Sequence, residues 1–163
     1  RESNVFFLNH GGKLQNVSKQ SGADLLGNSR SVAYLDYDND GDLDMILNNY
    51  HGAAVLYRNN AEQLGSNWLK ITLVGDPAKK SNRDAIGARI LVLRDDGHSI
   101  WREVHGSIGY LSMHPKQQHI GLGKQKKASL VIRWPNGDIA KYKDLDVNQS
   151  YTIKQADGSM VEG

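Results

Sequence analysis

The sequence has no cysteine among its 163 residues, so no disulfide framework holds it and no redox compartment can be read from it. It has 3 prolines and no long apolar run, which leaves no candidate membrane-spanning segment. It begins at Arg1 without a methionine or a signal-peptide pattern. It therefore reads as a piece of something longer whose ends carry no targeting information. Helix-period segments are scarce as well. In their place stand 17 glycines and short apolar runs of four to six residues punctuated by Gly, Asn and Asp, the pattern of strands and turns.

Those runs predict strands at Val5–Leu8, Val32–Leu35, Asp44–Asn48, Val55–Arg58, Trp68–Val74, Ala88–Arg94, Ser99–Val104, His119–Leu122, Ser129–Trp134, Ile139–Tyr142 and Ser150–Ile153. Hairpin turns are expected at Asp95-Asp96-Gly97 and at Pro135-Asn136-Gly137-Asp138, where Asn-Gly suits a type I′ turn. The chain is expected to be all-β. A weak repeat relates VFFLNH at Val5–His10 to VLYRNN at Val55–Asn60, an offset in the range of propeller blades. Residues 1–62 thus read as the end of one blade and most of the next, and a lone blade needs neighbours to bury its faces. An unpaired edge of such a piece is open to pairing with a second copy.

Charge divides at the same place. Residues 1–62 hold 5 Lys/Arg against 8 Asp/Glu, and residues 63–163 hold 15 against 10. The one dense basic cluster, Lys124 to Lys127, reads as a solvated loop, so no nucleic-acid surface is expected.

The acidity of the first part comes mainly from DYDNDGDLD, Asp36 to Asp44. Positions 1, 3 and 5 are Asp36, Asp38 and Asp40, and position 6 is Gly41, where a residue without Cβ turns sharply at no steric cost. Position 7, Asp42, offers its backbone carbonyl, and position 9 is Asp44. Calcium takes six to eight oxygens, and this spacing can wrap them around one ion. An EF-hand would carry a glutamate at position 12, but that position is Leu47, and both flanks are β-like. The expectation is a calcium loop inside a β-hairpin, loosened by carboxylate repulsion when the ion is removed. A solvated acidic turn is the plain alternative. A catalytic dyad finds no adjacent His, Lys or Ser nucleophile.

SVAYLDYDNDGDLDMILNN followed by LYRNN resembles the FG-GAP/VCBS repeat of integrin-like β-propellers. That resemblance implies calcium held by Asp36, Asp38, Asp40, the Asp42 carbonyl and Asp44. After a polar stretch at residues 61–67, the phrases NWLKITLVG, SNRDAIGARI, WREVHGSIGYLS, HIGLG and IRWPNG resemble, in order, the ASPIC/UnbV domain. The organisation expected is a propeller fragment over 1–62, an ASPIC/UnbV-like β domain over 66–155, and a tail over 156–163. For the second part a β-sandwich or partly closed barrel of seven or eight strands is expected. Its almost continuous apolar run at Ile90–Leu93 suggests a strand covered on both faces, Gly87 before Ala88 suggests close backbone approach, and Gly106 and Gly109 around Ser107-Ile108 suggest a bulge or tight bend.

The resemblance implies an extracellular, periplasmic or cell-surface calcium-binding protein that contacts a protein or glycan and has no established catalysis. Candidate ligand-binding residues in the second part are Arg83 and Asp84, which also suit an ion-paired turn, and Trp101 and Tyr110, which suit sugar stacking. Trp134 reads as core. A carbohydrate-binding module is the alternative function. A glycosidase would need two opposed carboxylates, and Asp84 and Glu103, the plausible pair in the second part, have nothing in the sequence to bring them together.

Overall fold

The computed structural model describes residues 2–107 and 109–163. Strands dominate it, with short helical turns at Ser18–Ser21, Ala61–Leu64 and Pro77–Lys79, and no helix among the described residues is long and apolar enough to cross a membrane.

The first part is a series of small antiparallel sheets. Strand β1 (Glu2–Ser3) pairs with β4 (Leu26–Gly27), and β2 (Phe7–His10) pairs with β3 (Lys13–Asn16). Gly11 and Gly12 form the two-residue turn between β2 and β3 with φ +56° and +88°, the positive pair that a type I′ turn demands. The predicted strand at Val5–Leu8 thus starts two residues later and runs to His10. Strands β5 (Ser29–Leu35), β6 (Asp44–Asn49) and β7 (Val55–Tyr57) follow as a three-stranded meander. Leu35 pairs with Asp44, so the acidic stretch is the loop of the β5–β6 hairpin. These sheets have little core of their own. Ala23 is the one buried apolar side chain among described residues 2–62, whereas Phe6, Phe7, Leu8, Leu14, Leu26, Ile46 and Leu56 are exposed.

The second part is an eight-stranded sandwich. One sheet orders β10 (Ser99–Glu103), β9 (Arg89–Arg94), β12 (Lys127–Arg133) and β13 (Ile139–Asp146). The other orders β11 (Gln118–Gly123), β8 (Asn67–Val74), β14 (Gln149–Lys154) and β15 (Met160–Glu162). Leu69, Ile71 and Leu73 of β8, Ile90 and Val92 of β9, Leu130 and Ile132 of β12, and Tyr151 and Ile153 of β14 share one buried cluster with Trp134. Each strand contributes alternate residues to it, as the two-residue period of a pleated strand requires. Residues 160–162, inside the expected tail, pair with β14 as an edge strand.

Three local expectations are corrected. The Pro135-Asn136-Gly137 turn has positive φ only at Gly137 (+98°). Trp134 accepts the Gly137 N–H and donates to the Asp138 carbonyl, which is a type I turn closed by a left-handed glycine; Pro135 at the second turn position favours this over type I′. The run Ile90–Leu93 is covered on one face only: Ile90 and Val92 are fully buried while Leu93 is 41% exposed. Gly87 is explained by its φ of +91° rather than by close approach, since a Cβ there would meet nothing. The bend suggested around Ser107-Ile108 includes Ile108, which lies outside the described residues.

The strand covered on both faces is β8. Leu69, Ile71 and Leu73 point into the sandwich, and Lys70 on its outer side is also buried. What covers Lys70 is the acidic loop.

Candidate functional site

Strand alternation puts Trp68 and Lys70 on the outer face of β8. Antiparallel register places His119 of β11 beside Lys70 and Gly121 beside Trp68. This platform receives the loop. Gly41, at φ +98°, lies flat on the indole: a Cβ built there would sit 1.9 Å from Trp68 Nε1. Lys70 Nζ is ion-paired with Asp36 and stands 4.9 Å from the Trp68 ring centre. His119 Nε2 lies 2.8 Å from the Gly41 carbonyl oxygen. Burial pushes the His119 pKa down, so the ring is neutral at neutral pH and its Nε2 carries the proton donated to that carbonyl. Beside it, His114 stacks on Tyr34 at 3.6 Å, and Lys124 Nζ donates to the carbonyls of Leu64 and Gly65.

The five aspartates divide into distinct environments. Asp36, Asp38 and Asp40 each bring an oxygen within 4.8 Å of the others. Asp36 Oδ2 accepts the Gly41 N–H at 2.9 Å, whereas its Oδ1 is buried without a partner. Arg58 bridges Asp38 (3.0 Å) and Asp40 (3.3 Å) from the loop's open side. Burial pushes Asp40 up, but the Asp42 N–H and the Arg58 guanidinium outweigh it and hold the carboxyl below its ordinary value. Asp42 turns its buried side chain toward Glu62, accepting the Glu62 N–H at 3.1 Å, and burial raises its pKa. Asp44, fully buried, accepts the Tyr37 N–H through Oδ2 and the Asn59 N–H through Oδ1. It stands outside both metal-capable groups and ties the hairpin to the segment after β7. Among the described residues those groups are Asp36, Asp38 and Asp40, and Asp40, Asp42 and Glu62; neither contains a histidine.

The second-part candidates do not converge. Asp84 is ion-paired with Lys116, and Asn82 closes its own turn with both amide atoms on Ile86. Arg83 is exposed, and its carbonyl accepts the Gly75 N–H. Tyr110 is 71% exposed. Trp101 stands apart from these: it is 61% exposed and lines a cleft of about 500 Å³ between the loop and the sandwich, with Arg102, Glu103, His105, Gln118 and Lys70. Glu103 is held by Arg89 at 3.0 Å and, within the cleft wall, has no Asp84 opposite it.

Lys70 and Glu62 escaped the sequence reading, and His119 was open there only to a metal role, not to its hydrogen bond with the Gly41 carbonyl. The signal for Lys70 was its place between Leu69 and Ile71 in an apolar strand, where a lone cation calls for a buried anion.

A family model described as ASPIC and UnbV matches residues 78–160. Cartilage acidic protein 1 of Xenopus tropicalis is 32% identical over 117 residues, 69% of this chain and 17% of that protein. The human protein of the same name is 31% identical over 109 residues, 64% of this chain and 15% of its own length. The chain thus spans less than a fifth of the length of these curated relatives.

Proposed function

Because the chain belongs to the ASPIC and UnbV family, we propose that it is a calcium-binding extracellular module for adhesion or matrix contact, without catalytic activity of its own. On this reading residues 1–62 are an FG-GAP/VCBS-type propeller fragment and 66–155 the ASPIC/UnbV domain. The relatives' name, cartilage acidic protein, refers to an extracellular tissue and supports that location.

The observation that carries the calcium reading is the convergence of Asp36, Asp38 and Asp40, together with an Asp36 Oδ1 that is buried and has no partner. The donors are all oxygen, which suits a hard cation. On the repeat's pattern Asp42 through its carbonyl and Asp44 through its carboxylate would complete the set, the Asp44 carboxylate, which lies outside the group here, turning to the ion from the Tyr37 and Asn59 N–H groups it accepts. The ion supplies positive charge where the loop meets the sandwich, and Lys70, Trp68 and His119 hold the loop in place. Extracellular calcium modules bind at about 10⁻⁴–10⁻³ M, suited to millimolar calcium outside cells.

Chelation is expected to lower the melting temperature by a few degrees, since one such site at millimolar calcium contributes roughly 0.4–1.4 kcal/mol, with recovery on adding calcium back. An unchanged melt would overturn the reading.

One observation favours a second reading, a carbohydrate-binding module: the exposed Trp101 indole walls a cleft rich in polar side chains, as sugar stacking requires. If so, glycan-array binding is lost in Trp101→Ala and kept in Tyr110→Ala, because Tyr110 does not line the cleft. Binding that ignores Trp101 removes this reading.

A further inference from the structure

Glu62 lies outside the nine-residue acidic loop, on the helical turn Ala61–Leu64 that leads into β8. Its carboxylate nevertheless joins Asp40 and Asp42 in a group of oxygens within 4.8 Å of one another. Two atoms of this group are buried and have no partner, Asp42 Oδ1 and Glu62 Oε2. Asp42 is 8% exposed, and among the described residues no cation pairs with it. The nearest guanidinium is that of Arg58, which contacts Asp40 at 3.3 Å and the other Glu62 oxygen, Oε1, at 4.0 Å. A buried carboxylate oxygen left without hydrogen bond or counter-charge is strongly unfavourable, so these two atoms call for a cation, a proton or a water.

The charge count favours a cation. Six carboxylates (Asp36, Asp38, Asp40, Asp42, Asp44 and Glu62) face two cations, Lys70 and Arg58, which leaves four negative charges. One divalent ion neutralises half of that; two neutralise all of it. Asp40 belongs to both groups, and its two oxygens allow it to serve both.

We propose that Asp40, Asp42 and Glu62 form a second calcium site, distinct from the Asp36–Asp38–Asp40 site and closing the interdomain linker onto the loop. The proposal rests on the calcium reading of the first group. It gives the Asp42 side chain a ligand role beyond its carbonyl, and it makes linker order depend on calcium.

Equilibrium dialysis of the whole chain against radiolabelled calcium at neutral pH tests it. Two ions per chain are expected, falling to one in Glu62→Gln and in the isosteric Asp42→Asn, with Asp38→Asn weakening the other ion. Protection of the Gln63–Ser66 segment from protease by calcium is expected in the wild type and lost in Glu62→Gln. One ion in the wild type, unaffected by Glu62→Gln, overturns the second site and leaves the first standing; a proton shared by Asp42 and Glu62 gives this result. One ion lost in every variant also overturns it, as a single shared site. No bound ion overturns both readings.

Discussion

Lys70→Met is expected to destabilise the chain by about 3–5 kcal/mol in the presence of a chelator, because it leaves Asp36 buried without its counter-charge. For a chain of this size that is a fall of roughly 6–20 °C in Tm. The pair is almost fully enclosed, with side-chain exposures of 6% for Lys70 and 3% for Asp36, so solvent screening gives little relief. Methionine keeps most of the length of the lysine stem, so the change is chiefly the loss of the charge, including its place over the Trp68 ring. The double variant Lys70→Met with Asp36→Asn should recover most of the loss, since replacing both members of a buried pair removes the uncompensated charge. Added calcium should lessen the effect of the single variant by supplying positive charge near Asp36. Thermal unfolding of the four proteins with and without chelator decides the matter, and a single variant as stable as the wild type would show that the pair does not anchor the loop.

Gly41→Ala should be almost as damaging. The φ of +98° is strained for any L side chain, at about 1–3 kcal/mol. The new methyl would also meet the indole at 1.9 Å, adding an overpacking cost of about 1–3 kcal/mol. Either Trp68 rotates away or the loop lifts, and lifting breaks the hydrogen bond from His119 to the Gly41 carbonyl. Gly97→Ala is the control: its φ is +80° but nothing lies within 4 Å of the added Cβ, so it carries the strain alone. The expected outcome is a clearly larger loss of stability in Gly41→Ala, accompanied by faster proteolysis of the linker at residues 61–66. Equal losses in the two variants would mean that the Gly41–Trp68 contact contributes nothing.

Much of the secondary structure was legible. Each of the eleven apolar runs corresponds to a strand, because alternation and Gly/Asn/Asp punctuation are local properties. The β2–β3 hairpin was missed although Gly11-Gly12 announces a primed turn, since β3 is the polar segment KLQN with no apolar run to mark it. The short pair β1–β4 and edge strand β15 are likewise set by partners rather than by pattern. At the candidate site, the regular spacing of Asp36, Asp38 and Asp40 around Gly41 was visible because the acidic loop is written in one continuous stretch. Arg83, Asp84, Trp101 and Tyr110 were chosen for chemical type alone, and type does not bring side chains to one place.

What the sequence determined by itself is the all-β class, the hairpin carrying the acidic loop, and the change of character after residue 62. These follow from backbone propensities and periodicities that act over a few residues. What only the tertiary structure decided is which faces are covered and by what. The parallel pairing of β8 with β14 joins residues about eighty positions apart, and the docking of the loop on β8 buries a lysine that the sequence sets between the core residues Leu69 and Ile71. Glu62 looked like an ordinary linker residue until the fold placed it beside Asp42. Burial and charge pairing depend on distance in space, and in an all-β chain most of that distance is closed by contacts the local pattern does not encode.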